Sequence, residues 1–232
     1  MNKYNNNNLD VTNPAPRCPV VLLLDTSSSM SGAPINELNQ GVLQFLEETK
    51  NDEAAGMSVE LEVITFADHA SRVIPFKPIA SVRQPYPFRA SGMTSMGAAL
   101  RMATADLKAR RTLYHDHGTP CYRPWVVLMT DGGPNDEWQN AAREMREMGE
   151  RGSIQYIGIE IGHQADHRTM CQILPANPGP VRLQGLRFKQ FFRWLTDSLR
   201  SVSQSTLDQD RAGGVPLGNP QSWADLAGLA NL

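Results

Sequence analysis

Oxygen-bearing side chains follow two apolar stretches of the sequence, and their types and spacing suit the binding of a hard divalent cation. Asp25, Ser27 and Ser29 come directly after the run VVLLL at Val20–Leu24, where a turning loop can aim three oxygens the same way. Asp131 follows the run WVVLM and Thr130, and it opens the sequence Asp-Gly-Gly-Pro. Carboxylates and hydroxyls are ligands for Mg²⁺, Mn²⁺ or Ca²⁺ and disfavour zinc or copper.

The two acids, Asp25 and Asp131, come from different strands, and a cation would explain why they lie close together. Two carboxylates that share a site repel each other, and one must take a proton unless a cation lies between them. Each motif alone also has a simpler interpretation. Asp-x-Ser-x-Ser can be a turn that caps the next helix, and Asp-Gly-Gly-Pro can be an ordinary turn. The occurrence of both at strand ends favours the metal site.

Strands that alternate with helices must position these residues. VVLLL and WVVLM are apolar throughout, as in strands buried on both faces of a parallel sheet. Further strands are predicted at Val59–Phe66, where VELEVITF begins with strict alternation, at Ile154–Ile161, and over a short stretch at Arg72–Phe76. The predicted helix faces carry Ile35, Leu38, Val42 and Phe45; Met96, Leu100, Ala103 and Leu107; Trp138, Ala142, Met145 and Met148; and Phe188, Phe191, Phe192, Leu195, Leu199 and Val202, with a short helix at Asp166–Ile173.

This alternation predicts the fold class α/β, with a doubly wound, mostly parallel central sheet flanked by helices. Ligands of such sheets bind where the strands end at their carboxyl side. If the strands before Asp25 and Asp131 are neighbours, the two carboxylates therefore meet at one rim.

Three ordered motifs in this chain resemble the metal-ion-dependent adhesion site of von Willebrand factor A (VWA) domains. They are DTSSSM, SGMTSMGAAL and MTDGGP, and the resemblance covers about Pro19 to Ser203. The family pattern is Asp-x-Ser-x-Ser, then Thr, then Asp, and it falls on Asp25, Ser27, Ser29, Thr94 and Asp131. The resemblance implies a Rossmann-like VWA fold in which these five residues hold one cation, with Asp131 acting directly or through water. It also implies an open coordination position, which an Asp or Glu of a partner protein fills.

Within the family, the chain is most similar to bacterial tellurium-resistance-associated (TerY-like) VWA proteins. The residues behind this are YRPWVVLMTDGGPND at Tyr122–Asp136, FFRWLTDSLRSVSQS at Phe191–Ser205, Val215–Leu217 and Trp223. Such proteins are often encoded beside a protein kinase and a protein phosphatase. The resemblance therefore implies a non-catalytic adaptor in stress or defence signalling, and its partner would be a protein.

Composition narrows the class of protein further. The 232 residues are 41% apolar and carry a formal net charge of -2 without a long run of one sign, which argues against a general nucleic-acid surface. Three widely spaced cysteines argue against a disulfide framework and for a reducing compartment. The Asn-rich start has no apolar signal segment, and no apolar run near it could span a bilayer. The expectation is a cytoplasmic protein without a membrane partner.

The predicted organisation has three parts. Residues 1–17 form a flexible N-terminal segment, residues 18–205 the VWA domain, and residues 206–232 a C-terminal tail. In the tail, Asp208–Asn219 is interpreted as a linker. Ser222–Leu232 has Trp223, Leu226 and Leu229 at helical spacing, so this short helix could pack on its own domain or dock a partner.

The same residues also allow other functions and sites. A metal-dependent phosphohydrolase that uses Asp25 needs a second acid two residues later, where this chain has Ser27, and no glycine-rich phosphate loop or nucleophile elbow is present. A VWA scaffold with a vestigial metal site, acting through its tail, is the other alternative.

Further residues could take part in metal binding. Asp68 either supports the metal site by bonding to the residues that hold the ion or belongs to a surface turn. Two sets could bind a soft metal, each one ligand short of structural zinc: His115, His117 and Cys121; and His163, His167 and Cys171.

Overall fold

The structure, a computed structural model, describes residues 9–10, 12–83, 85, 87–162, 165–215, 217 and 220–225. Its centre is one six-stranded sheet in the order β3-β2-β1-β4-β5-β6. The strands are β1 (Cys18–Asp25), β2 (Val59–Phe66), β3 (Ala70–Pro78), β4 (Trp125–Thr130), β5 (Gln155–Glu160) and β6 (Pro180–Arg182). All neighbouring strands pair in parallel except β2 and β3. The predicted α/β architecture with a mostly parallel sheet is therefore confirmed.

Helices cover both faces of this sheet. They are α1 (Ala33–Asn51), α2 (Glu53–Ser58), α3 (Met96–Asp116), α4 (Gln139–Glu150), α5 (His167–Ile173), α6 (Phe188–Ser203) and α7 (Leu207–Arg211). The apolar stripes of α1 and α6 pack on one face, and those of α3, α4 and α5 pack on the other. Two cores therefore hold β1 and β4 at the centre, and every residue of both strands is buried. In the described part of the chain, no helix has the length and apolar character needed to cross a bilayer.

The predicted strand at Val59–Phe66 is present as β2, but the alternation at its start does not give it a solvent-exposed face. Alternation is typical of a strand with one wet face, but all eight residues of β2 are buried. Glu60 is accommodated because Arg110 donates to its carboxylate at 2.7 Å, Tyr114 also donates to it, and Arg17 lies 3.5 Å away. Burial raises the pKa of Glu62 to about 9, and the negative charge of Asp106 acts in the same direction.

The expected flexible segment does not extend to Arg17. Leu9 is fully buried and Arg17 is only 1% exposed. The guanidinium of Arg17 donates to the carbonyl oxygens of Asp10 at 2.8 Å and Asn13 at 2.7 Å. Because this cation also faces Glu60 inside the molecule, the described residues directly before β1 pack against the sheet.

The linker expected from Asp208 begins instead as helix α7. Thr206 accepts from the backbone N–H of Gln209 at 3.2 Å, and the Gln209 side chain accepts from the Thr206 backbone at 2.9 Å. This reciprocal pair is a capping box, which satisfies two backbone donors at a helix start. The buried carboxylate of Asp210 then accepts from the backbone N–H of Arg123, which attaches α7 to the segment before β4.

The described end of the tail packs on the domain through Trp223, which is 2% exposed. Its ring lies 4.9 Å from that of Phe191 and 5.1 Å from that of Trp194, both on α6. The backbone N–H of Asp225 donates to the carbonyl of Arg182 at 2.8 Å, so the tail also covers β6. The rest of the predicted C-terminal helix, with Leu226 and Leu229, lies outside the described residues.

Replacing Trp223 by alanine tests this packing. We expect Trp223→Ala to lower the free energy of unfolding by about 3–5 kcal/mol, because it removes a buried ring from an aromatic cluster. Urea denaturation followed by circular dichroism measures the change. Leu217→Ala, at a position that is 38% exposed, serves as the control and should shift stability by less than about 0.5 kcal/mol. Equal stability of both variants would contradict the observed packing.

Candidate metal centre

The strand order brings the two predicted acids to one rim. β1 and β4 are parallel neighbours, with Leu24 opposite Met129, so Asp25 ends its strand beside Thr130. Asp131 is the next residue along the chain. Because both strands end at their carboxyl side there, the loops that carry Asp25 and Asp131 start next to each other.

Hydrogen bonds join four of the five predicted ligands. Asp25 accepts from the backbone N–H of Ser27 at 2.8 Å through Oδ1 and from the hydroxyl of Thr130 at 2.6 Å through Oδ2. The hydroxyls of Ser27 and Ser29 lie 3.0 Å apart. Ser29 in turn donates to Oδ1 of Asp131 at 2.7 Å. The structure therefore assembles Asp25, Ser27, Ser29 and Asp131 into one continuous group of oxygens.

Thr94 is held next to this group by its backbone. Its N–H donates to Oδ1 of Asn135 at 3.1 Å, and the N–H of Asn135 donates to the Thr94 carbonyl at 3.1 Å. The N–H of Ser28 donates to the carbonyl of Gly92 at 3.1 Å, which ties the same loop to the first one. Among the described residues, no hydrogen bond joins the Thr94 hydroxyl to the other four side chains. Thr94 is thus in the adjoining loop with a half-buried side chain.

Asp68 lies in the exposed turn between β2 and β3, and from there it contacts the Thr94 loop. Its Oδ1 accepts from the N–H of Met93 at 2.9 Å, and its carbonyl accepts from the hydroxyl of Ser95 at 2.8 Å. Gly92 has φ 73°, and a β-carbon built there would lie 2.4 Å from Cγ of Asp68. Only glycine therefore fits this close approach of the loop to Asp68.

Asn135 and Asp136 are supporting residues that the sequence did not reveal. Asp136 accepts from the backbone N–H groups of Gly97 and Ala98, both at 2.8 Å. It thus caps the first turn of α3 from the Asp131 loop. A capping residue from a distant segment leaves no local pattern, because the usual cap directly precedes its own helix.

Burial is the main electrostatic feature of the site. Asp25 is 0% exposed, and this burial raises its pKa; hydrogen bonds from Ser27 and Thr130 oppose the shift, and the charge of Asp131 adds to it. Burial also raises the pKa of Asp131, against the hydrogen bond from Ser29. Among the described residues, neither carboxylate forms an ion pair with a basic side chain that would offset its charge. Two acids and several hydroxyls are the donor set of a hard cation, so the residues present fit Mg²⁺, Mn²⁺ or Ca²⁺.

The first predicted soft-metal set, His115, His117 and Cys121, is not assembled. In the part of the chain that the structure describes, no three His, Cys, Asp or Glu side chains are arranged to hold a metal. His117 is hydrogen-bonded to the Leu113 carbonyl at 2.9 Å, and His115 lies 3.4 Å from Asp116. His163 of the second set lies outside the described residues.

The comparisons with known proteins identify the family. The family model for the von Willebrand factor type A domain matches residues 20–184, so the chain belongs to the VWA family. VWA domains are protein-interaction and adhesion modules and are generally not enzymes. No curated protein matches the sequence significantly.

Several solved structures share the fold at low sequence identity. A von Willebrand factor type A protein from Catenulispora acidiphila has a TM-score of 0.61 and 16% identity, over 80% of this chain and 43% of its own. Proximal thread matrix protein 1 from the mussel byssus, with a zinc-occupied metal-ion-dependent adhesion site (MIDAS) motif, has a TM-score of 0.56 and 19% identity, over 80% of this chain and 48% of its own. Manganese-loaded TRAP protein of Plasmodium vivax has a TM-score of 0.53 and 19% identity, over 78% and 73%. This chain spans less than half the length of the first structures that it matches.

The electrostatics of Asp25 predict opposite effects of Asp25→Asn with and without metal. A pKa raised by folding stabilises the protein at low pH, and this contribution is lost as pH rises from the ordinary value of 3.8 through the raised one. In chelator near pH 7, we therefore expect Asp25→Asn to unfold at a higher temperature than the parent protein. At acid pH, where Asp25 carries its proton, the difference should shrink.

Added cation should reverse the order of stability. A ligand at about 100 times its Kd stabilises the parent protein by about 2.7 kcal/mol, and Asp25→Asn should gain much less. Thermal denaturation with EDTA or MgCl₂ measures both effects. The control is Asp116→Asn, which changes an exposed carboxylate far from the site. A variant that is less stable than the parent at every pH in chelator would contradict this explanation.

Proposed function

We propose that Asp25, Ser27, Ser29, Thr94 and Asp131 hold one divalent cation, Mg²⁺ in the first place and Mn²⁺ or Ca²⁺ as alternatives. The observation that carries this proposal is the chain of hydrogen bonds from the fully buried carboxylate of Asp25 to the half-buried one of Asp131, which runs through the Ser27 backbone N–H and the hydroxyls of Ser27 and Ser29. The metal named for two structural relatives, manganese in one and zinc in the other, supports a cation site in this fold. Because one of these metals is zinc, a cation test must include it.

We further propose that this site binds an Asp or Glu side chain of a partner protein. When bound, the cation would supply the positive charge to which the carboxylate of that acid binds. Thr130 and the Ser27 backbone fix Asp25, Ser29 fixes Asp131, and these bonds orient the ligand oxygens before the partner arrives. Two protein carboxylates neutralise a divalent ion, so an incoming acid gains a charge-assisted contact without having to displace either of them.

The cellular role that we propose rests on the resemblance to TerY-like proteins. It is that of a cytoplasmic, non-catalytic adaptor in bacterial stress or defence signalling, of the tellurium-resistance type, which works with a kinase and phosphatase pair. The VWA fold supports an interaction module, since the family generally binds protein partners.

The alternatives fit the observed contacts less well. A phosphohydrolase would need Asp25 as a free nucleophile, but both of its oxygens accept hydrogen bonds inside the fold and Ser27 stands where the second acid is required. A scaffold that acts through its tail would need apolar tail residues to reach a partner. Trp223 is instead buried against α6.

Direct metal binding tests the first step. Titration calorimetry of the chelator-treated protein with Mg²⁺, Mn²⁺, Ca²⁺ and Zn²⁺ should show one site. We expect Asp25→Ala to weaken metal binding by about tenfold or more. Loss of a residue that only hydrogen-bonds a metal ligand already lowers metal affinity by about tenfold or more. Asp116→Ala should bind as the parent protein does. Equal binding by Asp25→Ala and the parent would refute the ligand assignment.

Capture of the partner tests the second step. The tagged protein is incubated with cell lysate in MgCl₂ or EDTA, and retained proteins are identified by mass spectrometry. We expect partners that are retained with Mg²⁺ and lost with EDTA or Asp25→Ala, but kept with Asp116→Ala. A partner that survives both EDTA and Asp25→Ala would contradict the metal-bridged contact and favour the tail. Metal-dependent phosphatase activity that Asp25→Ala abolishes would instead favour the enzyme.

A further inference from the structure

A second group of polar side chains lies where β5 ends, and the proposed metal site does not use it. Glu160 is the last residue of β5, and α5 begins at His167 seven residues later. Nδ1 of His167 lies 2.6 Å from Oε1 of Glu160, and Nε2 of the same ring lies 3.4 Å from Sγ of Cys171. One imidazole therefore bridges a carboxylate and a thiol.

The two contacts of His167 determine which of its ring nitrogens donates a hydrogen bond and which accepts one. Glu160 is 1% exposed, and Arg182 donates to its second oxygen at 3.3 Å. A carboxylate accepts hydrogen bonds, so Nδ1 of His167 is the donor in that contact. In the neutral imidazole, Nε2 is then unprotonated and accepts from the thiol of Cys171. This is the arrangement of an activated nucleophile: a thiol, an adjacent base, and a third group that orients the base.

Cys171 differs from the other two cysteines in its access to solvent. All three are free thiols, but Cys18 is buried, Cys121 is half-buried and Cys171 is exposed. Burial and the charge of Glu160 raise the pKa of the Cys171 thiol. The resting group is therefore the thiol, and its proton must pass to His167 when the sulfur reacts. Charged groups on α5 and on the elements packed against it include Glu160, Arg182, Arg146, Glu150, Asp166 and Arg168, and α4 also carries Arg143, Glu144 and Glu147.

We propose that Cys171, His167 and Glu160 form a thiol–disulfide exchange site, at which Cys171 is converted to a mixed disulfide by small disulfides. In this reaction the sulfur of Cys171 attacks one sulfur of the small disulfide. A new S–S bond forms, the old one breaks, and the second sulfur leaves with the electron pair. His167 takes the thiol proton on Nε2 and passes it to the leaving thiolate or to water. Cys171 is oxidised and the leaving sulfur is reduced, so no further oxidant is needed.

The modified thiol would stand on the same rim as the metal centre. Asp166 caps α5, and a β-carbon built on Gly133 would lie 3.1 Å from its Oδ2. The helix that carries Cys171 is thus in close contact with the loop that carries Asp131. The exchange site nevertheless shares no side chain with the five proposed metal ligands, so the two proposals can be tested separately.

The test is the rate at which a neutral aromatic disulfide, dithiodipyridine, reacts with the full chain. The released thiopyridone is followed by its absorbance from pH 5 to 9, and peptide mass spectrometry assigns the modified cysteine. We expect Cys171 to react first, and Cys171→Ser to remove this fast phase. His167→Gln should slow the reaction of Cys171 by about tenfold or more near pH 7, because general-base assistance is lost. Toward pH 9, where hydroxide ionises a growing fraction of the thiol, the difference between the two rates should become smaller.

Three further variants separate a chemical role of His167 from a structural one. His117→Gln removes an exposed histidine elsewhere and should react as the parent protein does. Glu160→Gln should slow exchange near pH 7 by less than His167→Gln. Asp116→Asn, which removes an exposed carboxylate outside both proposed sites, should leave the rate unchanged. If His167→Gln unfolds at the parent's temperature and Cys171 still reacts at the parent's rate throughout the pH range, the proposal is overturned and Cys171 is only an exposed thiol.

Discussion

The buried carboxylate of Asp25 is the constraint around which the rest of the site is arranged. It ends β1 at the centre of the sheet, where both faces are covered by helices and no solvent reaches it. An ion there is costly unless its oxygens are bonded, and the backbone of Ser27 and the hydroxyl of Thr130 supply those bonds. Thr130 is in place because β4 pairs in parallel with β1, so the sheet topology itself stabilises the acid.

Loop rigidity follows from the same requirement. Cation ligands that come from three separate loops must keep their spacing before the ion arrives, and long-range hydrogen bonds provide this. Asn135 exchanges two bonds with Thr94, while Asp136 caps α3 from the loop after β4. These residues contact neither acid directly. They act by fixing the backbones from which the ligand side chains extend.

What the sequence could predict depends on whether the signal is local. The apolar runs of β1 and β4 mark buried parallel strands, and an acid directly after each run places the site at the carboxyl edge of the sheet. The capping box of α7 is also local, at Thr206 and Gln209, and was open to the same reasoning. Asp136 and the partners of Glu60 could not be found this way, because Gly97, Arg17 and Arg110 lie tens of residues away along the chain. The alternation in β2 likewise shows which positions carry acids, but it cannot show that arginines from distant segments will pair with them.

The parallel sheet also explains how the proposed metal site and the proposed thiol–disulfide exchange site can lie on one rim without sharing side chains. The parallel strands β1, β4 and β5 end at the same edge of the sheet. The oxygens that follow β1 and β4 therefore lie at the edge where β5 ends in the carboxylate of Glu160. Glu160 is nevertheless occupied, since Arg182 and His167 each contact one of its oxygens. A carboxylate held by a guanidinium and an imidazole has little charge left to offer a divalent cation. The proposed cation site at Asp25 and Asp131 differs in this respect, because in the part of the chain that the structure describes neither acid forms an ion pair with a basic side chain.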